Sequence, residues 1–228
     1  MEEYDVIILG GGPAGSSCAA FLSKAGRNVL LLDRATFPRD KTCGDGISGR
    51  SVSVLKELGL MTEIAKIEHE DMYGVTFSSP KGTVVPIGTG PKEKQKEDVP
   101  PGFVCRREVF DNVIFQNAKK LCTKTIEGFN ATDLIMDGNK VVGIKGMFNG
   151  KEMSFKAKVF VGADGAGGIT ARKLGAYNSD EMHQAVAVRA YYDNVDGMGD
   201  KIELHFIDSV LPGYFWIFPL PNKRANVG

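Results

Sequence analysis

A glycine-rich turn near the N-terminus carries residues that could bind a nucleotide. Gly10-Gly11-Gly12-Pro13-Ala14-Gly15 has the spacing GxGxxG, directly after an apolar run. The first glycine allows a tight bend, the second lets the backbone approach a pyrophosphate, and the third lets a helix pack closely on a strand. Asp33 ends the next apolar run, where its carboxylate can accept from ribose hydroxyls. These residues predict a dinucleotide site, and the alternative is a glycine turn without a ligand.

Two later features favour FAD over NAD as that dinucleotide. Arg34 leads into a long loop, whereas a simple nicotinamide dehydrogenase usually moves quickly to its next helix. Gly162-Ala163-Asp164-Gly165 follows a second apolar run and offers a carboxylate where parallel sheets bind ligands, at the carboxyl ends of strands. The alternative for Asp164 is an ordinary turn residue before a helix.

Cys43 is a candidate for catalysis, because it lies in a polar, glycine-containing loop. Lys41 and Arg39 are near it in sequence, and their positive charges would favour a thiolate. The thiol could transfer a proton or shape the edge of a flavin. A small residue that permits close backbone approach is the alternative interpretation. His69, His183 and His205 are isolated, and we assign them no role.

Three aromatic residues near the C-terminal end could form an apolar binding wall. Tyr214, Trp216 and Phe218 are spaced by two, which places them on one face of a strand. Such a face could hold an uncharged substrate. From the residues alone, ordinary core packing is the favoured interpretation.

The elements that must position these residues begin with a βαβ unit. A strand over Tyr4 to Leu9, a helix over Ala14 to Lys24 and a strand over Asn28 to Leu32 predict a parallel sheet with a right-handed crossover. A helix follows over Ser48 to Leu58, with Gly59 as its stop. Further predicted elements are a hairpin (75 to 77 and 83 to 85), a helix (107 to 121), strands (131 to 136, 140 to 148, 151 to 157 and 158 to 161), a helix (169 to 174) and an antiparallel sheet (185 to 192, 201 to 207 and 214 to 218).

This order predicts an α/β fold in which a Rossmann-like FAD-binding domain, a parallel sheet with helices, is interleaved with an antiparallel-sheet substrate domain. We assign 1–70 and 103–175 to the FAD-binding domain, and 71–102 and 176–228 to the substrate domain.

Gly88 to Gly102 is rich in Lys, Glu and Pro, so we expect a mobile segment there. The sequence ends inside strand-like residues, so we expect a piece of a longer protein whose substrate domain is incomplete at its C-terminus.

Composition limits the classes of partner. The 28 Lys and Arg residues balance the 28 Asp and Glu residues, which argues against a nucleic-acid partner. The apolar runs are too short for a membrane-spanning helix, and the N-terminus lacks a basic leader. We therefore expect a cytoplasmic protein and leave peripheral membrane contact open. The four cysteines show neither disulfide nor zinc spacing, so we expect no metal.

Several longer motifs resemble a known family. Pro38-Arg39-Asp40-Lys41-Thr42-Cys43-Gly44 resembles the PxxKxCG stretch of the geranylgeranyl reductase family, FAD-dependent oxidoreductases with the p-hydroxybenzoate hydroxylase fold. Residues 107 to 111 are similar to the R-x-x-F-D start of a helix in that superfamily, and residues 162 to 165 match its GADG motif. Residues 212 to 219 resemble the family's PxxYxWxFP, with one residue fewer between proline and tyrosine.

The resemblance implies a role for each matching residue. Those that would hold FAD are Gly10, Gly12, Pro13, Ala14, Gly15, Asp33, Arg34, Arg107 and Asp164, with Cys43, Gly44 and Gly46 beside the flavin. Tyr214, Trp216 and Phe218 would line a lipid site.

Three functions remain open from the sequence. The first is reduction of isoprenoid C=C bonds by hydride from reduced flavin, with NAD(P)H or ferredoxin as electron donor. The second is a flavin monooxygenase or halogenase; a halogenase would carry GxWxWxIP, where this chain has Tyr214 and Phe218 in place of the first Trp and the Ile. The third is an electron-transfer flavoprotein acting on quinone.

Overall fold

The computed structural model describes residues 2 to 88, 102 to 178 and 180 to 228. Its strands are, in chain order, β1 (Glu3–Leu9), β2 (Val29–Asp33), β3 (Gly46–Ile47), β4 (Glu70–Met72), β5 (Gly74–Ser78), β6 (Val84–Gly88), β7 (Gly102–Val104), β8 (Lys124–Glu127), β9 (Asn130–Asp137), β10 (Lys140–Phe148), β11 (Lys151–Gly162), β12 (Ala190–Tyr192), β13 (Ile202–His205), β14 (Phe215–Leu220) and β15 (Arg224–Val227). Its helices are α1 (Pro13–Lys24), α2 (Gly49–Leu58), α3 (Met61–Ile64), α4 (Arg107–Leu121), α5 (Thr170–Lys173) and a 3-10 turn (Glu181–His183).

The chain divides into two compact units. Unit 1 comprises Met1–Arg39 and Asp111–His183, and unit 2 comprises Asp40–Phe110 and Gln184–Gly228. The predicted boundaries differ, because residues 40 to 70 and 103 to 110 pack with unit 2 instead of with the Rossmann-like part. The assignment of one domain to FAD and the other to substrate stays a prediction.

Unit 1 contains the predicted βαβ unit on a six-stranded sheet of order β8-β2-β1-β11-β10-β9. The pairs β8–β2, β2–β1 and β1–β11 are parallel, and β11–β10 and β10–β9 are antiparallel. The predicted break between Ala157 and Lys158 is wrong, since β11 is one strand that pairs with β10 in its first half and with β1 in its second. The sheet contributes most of a buried core: Tyr4, Ile7, Leu9, Leu30, Leu32, Ile126, Phe129, Leu134, Ile144, Phe155 and Ala157.

Unit 2 contains a six-stranded sheet of order β12-β15-β14-β13-β5-β6 and a small sheet of order β3-β7-β4. The strands predicted at 201 to 207 and 214 to 218 are found as β13 and β14, which pair antiparallel as predicted. β13 also pairs in parallel with β5, with Ile202 opposite Val75, which was not predicted. The strand predicted over Ala185 to Tyr192 is confirmed only at β12, and residues 185 to 189 are irregular. The predicted β5–β6 hairpin is confirmed.

Helix α2 begins and ends where its sequence predicts. The side chain of Ser48 accepts a hydrogen bond from the Ser51 amide at 3.4 Å, and Gly59 adopts the left-handed conformation with a φ of 77°. The segment predicted to be mobile falls largely on residues 89 to 101, which lie outside the described residues; Gly88 ends β6 and Gly102 begins β7.

Candidate functional site

The glycine turn of unit 1 joins β1 to α1. Gly10 has a φ of 110°, and a Cβ at this position would collide with the carbonyl oxygen of Ala163 after β11. A Cβ at Gly15 would likewise collide with the carbonyl oxygen of Gly10. These contacts require glycine at both positions. They let the first turn of α1 approach the carboxyl ends of β1 and β11 closely.

Gly12 is less crowded than Gly10 and Gly15. It caps α1, and the neighbour nearest to a Cβ built on it would be Nη2 of Arg39, at 3.4 Å. The backbone amides at the start of α1 have no side-chain cap. The helix terminus therefore combines a bare backbone with a nearby positive charge, which is a favourable setting for a phosphate group.

Arg39 lies in the loop that follows β2, four residues before Cys43 in sequence. Its Nη1 forms an ion pair of 3.0 Å with Oδ2 of Asp111, and its guanidinium lies 4.9 Å from the ring centroid of Phe37. Phe37 in turn stacks on Phe115 at 3.9 Å. The guanidinium is thus held beside the glycine turn by an ion pair and an aromatic ring. No spacing rule in the sequence pointed to this arrangement.

Asp33 at the end of β2 is tied to the same turn. Its Oδ2 accepts from the Gly11 amide at 2.5 Å, and its Oδ1 accepts from the Ala35 amide at 2.7 Å. The residue is buried. Each carboxylate oxygen keeps a further lone pair, so the carboxylate can still accept from a ribose hydroxyl. Arg34, which follows it, is exposed.

Asp164 acts locally in unit 1. Its Oδ2 accepts from the Thr170 amide at 2.9 Å, at the first residue of α5. A Cβ at Gly168 would collide with this carboxyl group. The hydrogen bond to Thr170 agrees with the alternative in which Asp164 is a turn residue before a helix. Contact between Asp164 and the cofactor stays a prediction.

In unit 2, the loop from Cys43 to Gly46 packs against an aromatic ring of β14. A Cβ at Gly44 would lie 2.8 Å from Cε2 of Phe218, and one at Gly46 would lie 3.1 Å from the same atom. Cys43 is half-buried, and its carbonyl oxygen accepts from Nδ2 of Asn226 at 2.7 Å. Glycine at 44 and 46 is therefore what allows Phe218 to approach the loop.

Asp45 within this loop is fully buried and adopts a φ of 68°. Its Oδ2 accepts from the Tyr191 hydroxyl at 2.8 Å and from Nδ2 of Asn226 at 2.7 Å, while Oδ1 accepts from the Arg107 amide at 3.3 Å. Burial raises the pKa of the Asp45 carboxyl above its ordinary value, against the opposing effect of these donors. In the sequence, the only sign of this cluster is the polar residue between two glycines.

Tyr191 links this carboxyl to two arginines. The guanidinium carbon of Arg189 lies 4.3 Å from its ring centroid and that of Arg106 lies 4.8 Å away. Burial, followed by the hydrogen bond to Asp45, raises the pKa of the Tyr191 hydroxyl. Tyr191 therefore stays protonated and donates to Asp45. Arg107 itself contributes its backbone amide to the cluster.

The three aromatic residues predicted to form a wall are only partly brought together. The rings of Tyr214 and Trp216 lie 6.2 Å apart, and Tyr214 precedes β14 and is half-exposed. Phe218 instead packs against Gly44 and Gly46. Within β14, Trp216 and Phe218 are two positions apart and so lie on one face of the strand, and Phe218 packs on the Cys43 loop within unit 2.

A separate cavity of about 410 Å³ lies elsewhere in unit 2. Its lining residues are Ser78, Ser79, Pro80, Gly82, His205, Phe206, Ile207, Phe215 and Ile217. Beside it, Nδ1 of His205 is 2.8 Å from the Ser78 hydroxyl and Nε2 is 3.0 Å from Oε2 of Glu203. Both ring nitrogens of His205 are thus engaged, which the sequence did not indicate.

Comparison with known proteins identifies the cofactor class. The family model described as FAD binding domain matches residues 3–220. The chain belongs to the FAD-binding domain family. Its cofactor is FAD.

Among the described residues, no cluster of side chains could hold a metal ion, and no helix is long and apolar enough to cross a bilayer.

Similar proteins include two groups of reductases. The menaquinone reductase of Mycobacterium tuberculosis is 36% identical over 232 residues, which are 100% of this chain and 55% of that protein. The digeranylgeranylglycerophospholipid reductase 1 of Methanosphaera stadtmanae is 32% identical over 232 residues, with the same coverage. The chain therefore spans about half the length of these curated relatives.

Solved structures share the fold of this FAD-binding chain. A geranylgeranyl bacteriochlorophyll reductase-like protein from Thermoplasma acidophilum aligns with a TM-score of 0.81 at 25% identity, over 100% of this chain and 56% of that one. The myxobacterial chondrochloren halogenase aligns with a TM-score of 0.83 at 23% identity, over 100% and 52%. The predicted α/β fold is confirmed by these alignments.

The residues of unit 1 fit the adenosine diphosphate half of FAD. The open backbone at Gly12 leaves room for a pyrophosphate, and Arg39 supplies a positive charge beside it. Asp33 is fixed by two backbone amides, with acceptor capacity left for ribose. A carboxylate suits the hydroxyl donors of the neutral ribose, and the guanidinium of Arg39 suits the negative charge of the pyrophosphate.

Proposed function

We propose that the complete protein is an FAD-dependent oxidoreductase that reduces C=C bonds in the isoprenoid chain of a lipid. The observation that carries the proposal is the packing of Phe218 on Gly44 and Gly46. It puts the aromatic face of β14 beside the loop that the resemblance assigns to the flavin edge. An apolar wall next to the reacting edge is what an uncharged chain requires.

The names of the relatives support this substrate class. Menaquinone and digeranylgeranylglycerophospholipid both carry isoprenoid chains, and the proteins named for their reduction are 36% and 32% identical to this chain. The similarity extends over the whole of the chain, including the aromatic strand β14. We therefore extend the class of substrate, and not a particular lipid, to this protein.

Reduction of an isolated double bond needs a hydride for one carbon and a proton for the other. When bound and reduced, FAD supplies the hydride. The residues of this chain must then exclude water, hold the apolar chain and deliver the proton. Trp216 and Tyr214 offer adjacent ring faces for the chain, and Cys43 is the candidate for the proton.

A second candidate is reduction of a quinone ring, since the name menaquinone reductase does not say which part of menaquinone is reduced. A halogenase is the third, because a chlorinase of Pseudomonas fluorescens is 27% identical over 249 residues, which are 96% of this chain and 53% of that protein. The sequence departs from the halogenase motif at Tyr214 and Phe218, which makes that activity the weaker candidate. NAD(P)H or ferredoxin as electron donor and a peripheral membrane contact remain predictions.

Product analysis distinguishes the two reductions. The full-length protein is reduced with dithionite without oxygen, freed of excess dithionite, and supplied with menaquinone or a geranylgeranyl lipid. One half of the extract is kept without oxygen and the other half is exposed to air, and both are analysed by mass spectrometry. A saturated side chain keeps its two added hydrogens in air, whereas a quinol returns to the quinone. We expect air-stable addition of hydrogen; product that reverts completely would assign the ring, and unchanged lipid would exclude both reductions.

A further inference from the structure

Asn226 on β15 is fully buried, and its side-chain amide makes three hydrogen bonds. Nδ2 donates to the carbonyl oxygen of Cys43 at 2.7 Å and to Oδ2 of Asp45 at 2.7 Å. Oδ1 accepts from Nε1 of Trp216 at 2.9 Å. One short side chain therefore connects the predicted lipid wall with the predicted flavin loop.

We propose that Asn226 is a positioning residue, which fixes the indole of Trp216 relative to the backbone of the Cys43 loop. The part of this inference that concerns lipid rests on the proposed function. The part that concerns the indole and the loop stands on the hydrogen bonds alone. Asn226 contacts neither substrate nor cofactor in this account and acts through its two neighbours.

The chemistry of the three partners allows one orientation of the amide. The partners of Nδ2 are a carbonyl and a carboxyl oxygen, which accept, and the partner of Oδ1 is an indole N–H, which can only donate. In a flipped amide, Oδ1 would face two acceptor oxygens, those of Cys43 and Asp45, and the N–H groups of Nδ2 would face the indole N–H of Trp216. The arrangement is therefore specific for asparagine: leucine would satisfy none of the three groups, and aspartate would bring a second carboxyl against Asp45.

Trp216 is held from other directions as well, so its indole has little freedom. Its amide donates to the carbonyl oxygen of Gly228 at 2.7 Å, and its carbonyl accepts from the Gly228 amide at 3.1 Å. A Cβ at Gly228 would collide with the indole ring. Among these contacts, only the bond to Asn226 also reaches the Cys43 loop. Loss of that bond would free the ring edge while leaving the strand pairing in place.

The consequence is a binding wall that is shaped before substrate arrives. A preorganised wall does not have to be ordered by the ligand, which favours binding. A ligand that pushes on the indole would displace Asn226 and hence the carbonyl of Cys43. Through the side-chain amide of Asn226, the position of the Cys43 loop depends on the position of the Trp216 indole.

The first test observes the bond without any substrate. In full-length holoprotein labelled with ¹⁵N-tryptophan, the indole resonance of Trp216 is assigned as the one that disappears in Trp216→Phe. We expect its N–H to exchange slowly with solvent in the wild type and at least tenfold faster in Asn226→Leu. Ile144→Val, in the core of unit 1, should leave the rate unchanged. Equal rates in the wild type and Asn226→Leu would overturn the proposal.

The second test separates positioning from general stability through a double-mutant cycle. Trp216→Phe keeps an aromatic wall but removes the donor. We expect Asn226→Leu to raise the KM for lipid at least fivefold at unchanged flavin occupancy, and the double variant Trp216→Phe/Asn226→Leu to be no worse than the more severe single variant. Additive effects, or a normal KM in Asn226→Leu, would contradict a role through Trp216.

Two outcomes require a further measurement: Asn226→Leu does not fold, or the wild type reduces no lipid. If Asn226→Leu fails to fold, Asn226→Ser replaces it, since a hydroxyl can satisfy at least one of the three partners. If the wild type reduces no lipid, the proposed function fails, while the exchange measurement still confirms or refutes the bond between Asn226 and the indole.

Discussion

The carboxylate of Asp111 is fully buried and forms an ion pair of 3.0 Å with the guanidinium of Arg39. A buried carboxylate requires such a partner, so the pair keeps Arg39 in one place beside the glycine turn. A positive charge held at the start of α1 is available to the pyrophosphate of FAD. We therefore expect the pair to connect packing inside unit 1 with recognition of the cofactor.

Removal of this charge should weaken binding of FAD. We expect Arg39→Ala to lower the affinity by about 1 to 3 kcal/mol, the range for a lost hydrogen bond to a charged group. Titration of apoprotein with FAD, followed by flavin fluorescence, measures the change. Arg27→Ala, at an exposed position of unit 1, is the control. Equal affinities in the two variants would show that Arg39 is structural only.

Asp33 should contribute to the same binding energy from the ribose end. Asp33→Ala removes the acceptor of the Gly11 and Ala35 amides as well as that of the ribose, and we expect a loss of about 1 to 3 kcal/mol in FAD affinity. Asp33→Asn keeps one carbonyl acceptor and should lose less. An affinity unchanged in Asp33→Ala would mean that the carboxylate does not reach the cofactor.

A methyl group at Gly44 should disturb the aromatic strand. In Gly44→Ala the new Cβ would lie 2.8 Å from the Phe218 ring, so the ring or the loop must move. We expect the folded state to lose about 1 to 3 kcal/mol, measured by denaturant unfolding. Gly199→Ala, where nothing lies within 4 Å, should be nearly neutral. The double variant Gly44→Ala/Phe218→Leu should recover part of the loss; no recovery would mean that Phe218 does not limit the space.

The pH dependence of stability should contain a contribution from Asp45. Because burial raises its pKa in the folded protein, the folded state binds this proton more tightly than the unfolded chain does. The contribution is fully present below the unfolded pKa of about 3.9 and is lost as the pH rises through the higher folded pKa. In Asp45→Asn the side chain is uncharged at every pH, like the protonated carboxyl, so the contribution of this group to the pH dependence is absent.

We therefore expect the stability of the wild type relative to Asp45→Asn to fall as the pH rises through that window. Denaturant unfolding of both proteins at a series of pH values gives the difference. The surrounding groups Tyr191, Asn226, Arg107 and Arg189 are the same in both proteins, so they largely cancel. A difference that stays constant or grows with pH would show that the carboxyl is ionised in the folded protein without penalty.

Local patterns explain why part of the fold could be predicted. The strand, glycine turn, helix and strand from β1 to β2 follow from contiguous residues, as does α2 with its cap at Ser48 and its stop at Gly59. The parallel pairing of β13 with β5 joins residues more than a hundred positions apart, and no short pattern encodes it. The short β12, in contrast to the longer strand predicted, shows that apolar alternation alone does not supply a pairing partner.

The same distinction applies to the candidate site. The glycines and Asp33 were recognisable because their spacing has a direct physical meaning. Asn226 was not, since an asparagine in a strand carries no signal until its partners at Cys43 and Trp216 are known. Arg39 was considered as a charge near Cys43 in sequence, and its ion pair with Asp111 within unit 1 joins residues 72 positions apart, which no short pattern encodes.

The proposed reaction is transfer of a hydride from the reduced cofactor to a lipid double bond. The most direct measurement mixes the reduced full-length protein with a geranylgeranyl lipid in the absence of oxygen and follows the visible absorbance of oxidised flavin. We predict that the absorbance returns, with one double bond saturated for each flavin oxidised. Flavin that remains reduced until oxygen is admitted would contradict the account and point to oxygen-dependent chemistry of the monooxygenase or halogenase type.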